Sequence, residues 1–151
     1  MASTMRYINI ISRCCAMYRT ERLEGTELGA CHLPYILTLA RNPGITQEKL
    51  GKMLYINKSN VTRALSYLEQ KGFIERVQSD IDRRAMLVYP TPKALDMLPE
   101  IRGILKDWNE YITADIAEEE MAVFMAVLEK ISKKSGEYCS LSENAGEGER
   151  L

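Results

Sequence analysis

The sequence predicts a mainly α protein with one small β-hairpin: a helix-turn-helix core, a hairpin wing, and flanking helices at both ends. Three observations carry this. Apolar residues recur at steps of three and four over most of the chain. Two such segments, from Thr46 to Leu54 and from Asn57 to Lys71, are separated only by Tyr55-Ile56, which is the spacing of two helices joined by a tight turn. Directly after Gly72 the period shortens to that of strands, over Phe73, Ile74 and Val77 and again from Ala85 to Tyr89, with the polar turn Gln78 to Arg84 between them.

The elements follow in order. Residues 5 to about 22 set Ile8, Ile11, Cys15 and Tyr18 on one stripe, with Arg13, Arg19 and Arg22 elsewhere on the helix. Gly25 and Gly29 bracket a break. Leu33, Ile36, Leu37 and Ala40 then continue a second helix that Asn42-Pro43-Gly44 ends. Thr46 is a good N-cap for a short helix whose inward side is Leu50, Met53 and Leu54. Asn57 caps the next, which carries Val61, Leu65 and Leu68 inward and stops at Lys71-Gly72 with glycine as the C-terminal cap. After the hairpin, Thr91 caps a helix with Pro92 in its first turn, where a missing N–H costs little. Leu95, Leu98, Ile101, Leu105, Trp108, Ile112 and Ile116 predict that this helix runs on for more than 20 residues, with Pro99 as an early kink. A last helix spans Ala117 to Lys134, with Glu118, Glu119 and Glu120 at its start and Lys133 and Lys134 at its end, the signs its dipole favours. Beyond Ser135 the composition turns to Gly, Ser and Glu, and residues 136–151 read as a disordered acidic tail.

Composition narrows the function. At 151 residues, 46% hydrophobic and 27% charged, the chain suits one globular domain with an extension. Its longest apolar run, Met121 to Leu128, is too short to cross a bilayer, and the N-terminus lacks a secretory pattern, so a cytoplasmic protein without membrane partners is expected. Cys14, Cys15, Cys31 and Cys139 are then expected as free thiols. There is no CxxC or HExxH, His32 is the only histidine, and neither a phosphate loop, a dinucleotide fingerprint nor a triad is present. No metal, cofactor or enzyme activity is therefore expected. The net charge of −1 conceals an asymmetry: residues 41–84 sum to +4 and residues 107–151 to −7. A basic centre implies a polyanionic partner.

The second helix of the pair supplies the matching surface. With Val61, Leu65 and Leu68 inward, Lys58, Ser59, Thr62, Arg63 and Ser66 face outward, cations interleaved with hydroxyls and no acid before Glu69. A helix in a DNA major groove needs cations for phosphates and short polar side chains for base edges. A solvated helix face has the same composition, and the neighbouring tip Ser79-Asp80-Ile81-Asp82-Arg83-Arg84 decides between them, because a wing beside such a helix can bring arginine to the adjacent minor groove.

These residues together resemble the multiple-antibiotic-resistance repressor (MarR) family of winged-helix regulators. NPGITQEKLGKML, KSNVTRALSYLEQKGFIER, and Asp82-Arg83-Arg84 six residues before Pro90 carry the resemblance, which covers roughly residues 5 to 135. It implies a single domain over 1–135, a DNA-binding core at about 31–91, and dimerisation helices at about 5–20 and 95–135. It further implies a homodimeric regulator, in most members a repressor, on a pseudo-palindromic double-stranded operator. The DNA contacts expected are Thr46, Gln47, Lys58, Ser59, Asn60, Thr62, Arg63, Arg83 and Arg84, with Asp82 holding a wing arginine and Arg84 in the minor groove.

Family members often release DNA on binding phenolic or lipophilic ligands. Tyr18, His32, Tyr35 and Trp108 are the candidate pocket wall, against the alternative that they are ordinary packing aromatics. Others respond to cysteine oxidation, which makes Cys14 and Cys15 redox candidates, although Cys15 on the apolar stripe reads more readily as a buried, inert thiol. The competing readings are a thiol-sensing regulator of the same fold, and a winged-helix protein-interaction module that binds no DNA.

Overall fold

The computed structural model describes residues 3–148, with side chains from residue 3 to 139. Two compact units divide between Tyr111 and Ile112. The first holds α1 (Thr4–Arg22), a 3-10 turn (Ala30–His32), α2 (Leu33–Arg41), β1 (Ile45–Thr46), α3 (Gln47–Leu54), α4 (Lys58–Gln70), β2 (Ile74–Gln78), β3 (Met86–Pro90), α5 (Pro92–Asp96) and most of α6 (Leu98–Thr113). The second holds α7 (Glu118–Gly148).

The caps that set the helix-turn-helix are those the sequence predicts. Thr46 Oγ1 accepts the Lys49 N–H at 3.1 Å, and Asn57 Oδ1 accepts the Asn60 N–H at 2.9 Å, each satisfying a donor that a helix start leaves open. Between them Tyr55 takes a left-handed conformation (φ 53°), unusual for a residue with a Cβ, which turns the chain within three residues. At the other end of α4, Gly72 (φ 75°) donates to the Glu69 carbonyl and Phe73 to the Leu68 carbonyl, and the apolar pair Leu68 and Phe73 is buried beside them. This is a Schellman ending, and it aims the chain from the recognition helix straight into the wing.

The core of the unit is continuous. Leu33, Tyr35, Ile36 and Leu39 of α2, Leu50 of α3, Val61, Leu65 and Leu68 of α4, Ile74 and Val88 of the sheet, Ala94 of α5, and Ile101 and Ile104 of α6 are buried together. At about 1.5–3 kcal/mol for each large aliphatic side chain withdrawn from water, the three inward residues of α4 hold that helix in place while leaving its outer face free. Leu50 and Leu54 face inward as predicted, but Met53 is 46% exposed, and Gly51 takes the buried position instead. The reason is steric: a Cβ on Gly51 would stand 3.1 Å from Val61 Cγ2 and 3.3 Å from the Ile56 carbonyl, so α3 and α4 approach through glycine.

The wing hairpin pairs β2 with β3, antiparallel, Ile74 opposite Pro90 through Gln78 opposite Met86. A third strand joins it that the sequence reading does not contain. Ile45 and Thr46 pair with Val88 and Leu87, giving the order β1-β3-β2. Because β1 runs directly into α3, the sheet fixes the start of the helix-turn-helix to the base of the wing.

The long helix predicted from Leu95 to Ile116 is interrupted twice. Pro99 has no N–H for residue 95 and crowds its carbonyl, so α5 closes at Asp96 and α6 starts at Leu98, a break rather than a kink. A second break follows Thr113, and Ile116 lies outside both helices. In the second unit, Ala117 donates its N–H to Glu120 at 3.3 Å, the returning half of a capping box, and starts α7. That helix continues past Ser135, where the composition predicts disorder. Ser135 Oγ bonds the Ile131 carbonyl and Lys134 pairs with Glu137, and the backbone stays helical to Gly148. The rest of the expected tail, residues 149–151, lies outside the described residues.

Among the described residues no helix is long and apolar enough to cross a membrane, and no cluster of three potential metal ligands occurs.

Candidate nucleic-acid interface

The outer face of α4 and the tip of the wing carry the residues expected at DNA. Lys58, Ser59, Asn60, Thr62 and Arg63 are all exposed, and so are Asp82, Arg83 and Arg84. Their electrostatics differ from those of the surrounding core. Lys52 pairs with Glu48, Lys71 and Lys93 with Glu27, and Arg76 with Glu69. Lys58, Arg63, Arg83 and Arg84 make no salt bridge among the described residues. Glu48 is held below the usual carboxylate range mainly by Lys52, through a hydrogen bond and charge attraction, and more weakly by Lys58. Cations elsewhere on the winged unit are thus partly neutralised, and those on this face remain available to phosphate.

The wing tip is organised by its own side chains. Ser79, nearly buried, accepts the N–H groups of Ile81 and Asp82 on Oγ at 3.2 and 3.3 Å, and Gln78 Nε2 donates to the Arg83 carbonyl at 2.6 Å. The motif implies that Asp82 holds a wing arginine side chain, but among the described residues it makes no salt bridge to one. Its Oδ1 accepts the backbone N–H of Arg84 at 3.0 Å. This turn lies only two residues on, within reach of a short aspartate, so Asp82 shapes the backbone and leaves the Arg84 guanidinium free.

Two expected contacts are tied to each other. Gln47, at the start of α3, donates through Nε2 to Thr62 Oγ1 at 3.0 Å, and Thr62 Oγ1 donates to the Lys58 carbonyl at 2.9 Å. Thr46 is occupied as the α3 cap.

The four candidate pocket aromatics divide into separate contacts. Tyr18 meets Trp108 with ring centroids 5.1 Å apart, and Tyr111 adjoins Trp108 at 6.3 Å. His32 instead stacks on Tyr67 at 4.6 Å and 13°, and its Nδ1 accepts the Gly29 N–H at 2.9 Å. Burial pushes the His32 pKa down, consistent with the neutral ring that this acceptor role requires. Tyr35 sits in the core, where burial raises its phenol, with a smaller contribution from Cys31. Cys14 is exposed, and Cys15 is half-buried rather than fully enclosed.

Sequence reasoning missed Tyr67. Its hydroxyl donates to the Glu27 carbonyl at 2.8 Å, while Glu27 pairs with Lys71 and Lys93, and together these hold the loop before α2 against the C-terminal end of α4. The partners lie 40 or more residues apart, so no local pattern announces them.

Comparison with known proteins places these features. Residues 33–86, from α2 through the wing turn, match the MarR family. The HTH-type transcriptional regulator YybA of Bacillus subtilis is similar over 133 residues at 26% identity, covering 88% of this chain and 89% of that protein. A SlyA-like transcription regulator from Listeria monocytogenes superposes with a TM-score of 0.91 at 24% identity, over 95% of this chain and 96% of that one. A second Listeria monocytogenes structure, described as a MarR family transcriptional regulator complexed with 26mer DNA, gives 0.87 at 24% identity, again over 95% and 96%. The family and these relatives are transcriptional regulators, not enzymes. Residues 33–86 thus match the MarR family, and the fold around them is that of the winged helix-turn-helix proteins to which the chain is similar.

Proposed function

We propose that the chain acts as a homodimer that binds a pseudo-palindromic operator and represses transcription from it. The observation that carries this is the clustering of four exposed cations that make no salt bridge among the described residues, Lys58, Arg63, Arg83 and Arg84, on one helix face and one wing tip. In the reading, α4 enters the major groove, where Arg63 contacts a guanine or a phosphate and Lys58 a phosphate, with Ser59 and Asn60 near base edges. Arg84, its backbone set by Asp82, enters the flanking minor groove, with Arg83 on the backbone beside it. The DNA complex of the Listeria relative supports the mode of binding.

The dimer rests on apolar surface that the chain leaves uncovered. In α1, Met5, Tyr7, Ile10, Ile11 and Met17 are exposed, and in α7 so are Val123, Phe124, Met125 and Val127. Such stripes mark interfaces, and two-fold pairing sets two recognition helices about one DNA turn apart. A phenolic or lipophilic ligand binding beside the Tyr18–Trp108 pair would release DNA if it prefers one spacing of the recognition helices over the other.

A mobility shift with the DNA upstream of the protein's own coding sequence tests the function. A retarded band that competitor DNA of unrelated sequence does not remove is the expected result. No shift, or a shift abolished equally by any DNA, would leave a winged-helix interaction module. Thiol sensing would show in the same assay as loss of the shift on peroxide treatment that Cys14→Ser or Cys15→Ser prevents.

A further inference from the structure

Thr62 stands at the centre of the exposed face of α4, and its hydroxyl already has partners. A threonine hydroxyl has one proton and two lone pairs. That proton goes to the Lys58 carbonyl, one turn back on the same helix, at 2.9 Å. Having donated there, Oγ1 can only accept from Gln47, which fixes the orientation of the Gln47 amide: its NH2, not its carbonyl, faces Thr62 at 3.0 Å. The bond crosses from α3 to α4, so the amide is also a strut between the two helices of the motif.

The hydroxyl therefore has no proton left for the acceptor atoms that dominate the major groove, N7 and O6 of guanine, N7 of adenine and O4 of thymine. What remains on this exposed side chain is one acceptor lone pair on Oγ1, which the two existing bonds hold in a fixed direction, and the Cγ2 methyl. The major groove offers one apolar group, the 5-methyl of thymine, and contact between a threonine methyl and that group is an effective base discriminator.

We infer that Thr62 reads a thymine through methyl–methyl contact, with Gln47 and the Lys58 carbonyl holding its hydroxyl turned away from the bases. This rests on the DNA-binding reading above and adds a base identity to it. On this account Thr62 confers specificity without charge, whereas its neighbour Arg63 supplies charge. Gln47 is a positioning residue: its loss uncovers a second acceptor lone pair on Thr62 Oγ1, open to a base amino group, and broadens the preference at that base.

The experiment uses a duplex obtained by in vitro selection with the full chain, in which each thymine is replaced singly by deoxyuridine, removing the 5-methyl and nothing else. Wild-type protein should lose about fourfold in affinity at one thymine per half-site, the effect of one methyl-sized apolar group withdrawn from water. Thr62→Val, which keeps a methyl and lacks the hydroxyl, should keep that sensitivity. Thr62→Ser, which keeps the hydroxyl and lacks the methyl, should bind thymine and uracil alike, with an unchanged salt dependence. Uniform indifference of the wild-type protein to deoxyuridine, or a Thr62→Ser protein as sensitive as wild type, would overturn the inference while leaving operator binding intact. Failure of the selection to enrich any sequence would instead count against the DNA-binding reading itself.

Discussion

If Lys58, Arg63, Arg83 and Arg84 are the phosphate-facing cations, the salt dependence of binding follows from counting them. Two protomers present about eight such charges, and each phosphate neutralised contributes about −0.9 to the slope of log K against log salt, so a slope of about −7 is expected. Between 50 and 200 mM salt the affinity then falls by about 10⁴-fold. Individual residues separate within that total. Arg84→Ala removes one cation per protomer and should make the slope shallower by about 2, with an affinity loss of about 1–3 kcal/mol per half-site that is largest where A·T pairs flank the site. Lys58→Ala should act less, because Glu48 already meets part of the Lys58 field in the free protein. Fluorescence anisotropy of a labelled duplex at four or five salt concentrations measures all of this. A wild-type slope shallower than about −3, or one that none of the four alanine variants alters, would show that this face is not where phosphate is neutralised.

Three further outcomes follow from the geometry. Gly51→Ala gains up to about 1 kcal/mol of helix propensity but presses a Cβ onto Val61 and the Ile56 carbonyl, so a net loss of about 1 kcal/mol is expected, rising with Gly51→Val; a urea midpoint equal to or above wild type would contradict the close approach. His32 has a folded pKa depressed below its ordinary 6.5 by burial, so the unfolded chain binds the proton more readily; stability should be complete above that value and decline as the pH falls from it toward the folded pKa, and His32→Asn should remove that part of the decline in thermal melts. Sedimentation equilibrium should return twice the 17.2 kDa chain mass at micromolar concentration, and Phe124→Glu together with Ile11→Glu should shift it toward monomer; a wild-type protein that runs as monomer would remove the proposed interface.

What the sequence discloses here divides by the range of the interaction. Thr46, Asn57 and Thr91 are legible as caps because each bonds an N–H three residues on, a relation that residue type and position alone specify. Val61, Leu65 and Leu68 are legible because a helix repeats its inward face. Strand β1 is not, since two residues cannot show a period, and its pairing depends on Val88 more than 40 positions away. Met53 misleads for a related reason: periodicity assigns it inward, but where two helices meet through a glycine the contact lies on the other flank of the Leu50–Leu54 stripe, at Gly51.

The same division runs through the proposed interface and determines what kind of statement each residue permits. The sequence lists Gln47, Thr62, Asp82 and Arg84 as polar groups near DNA, and it treats every hydroxyl and carboxylate as available. The structure shows that availability is what distinguishes them. Asp82 is committed to the Arg84 N–H and Thr62 to Lys58 and Gln47, whereas the guanidinium groups of Arg63 and Arg84 make no salt bridge among the described residues. Buried or bridged hydrogen-bonding groups constrain geometry, and unpaired ones recognise a partner, because only the latter gain on binding what they did not already have. A side chain with its hydrogen bonds satisfied can still discriminate, but only by shape and apolar contact. Charge readout by arginine and methyl readout by threonine are thus two consequences of one accounting of donors along a single helix face, and they part experimentally: salt acts on the first and removal of a thymine methyl on the second.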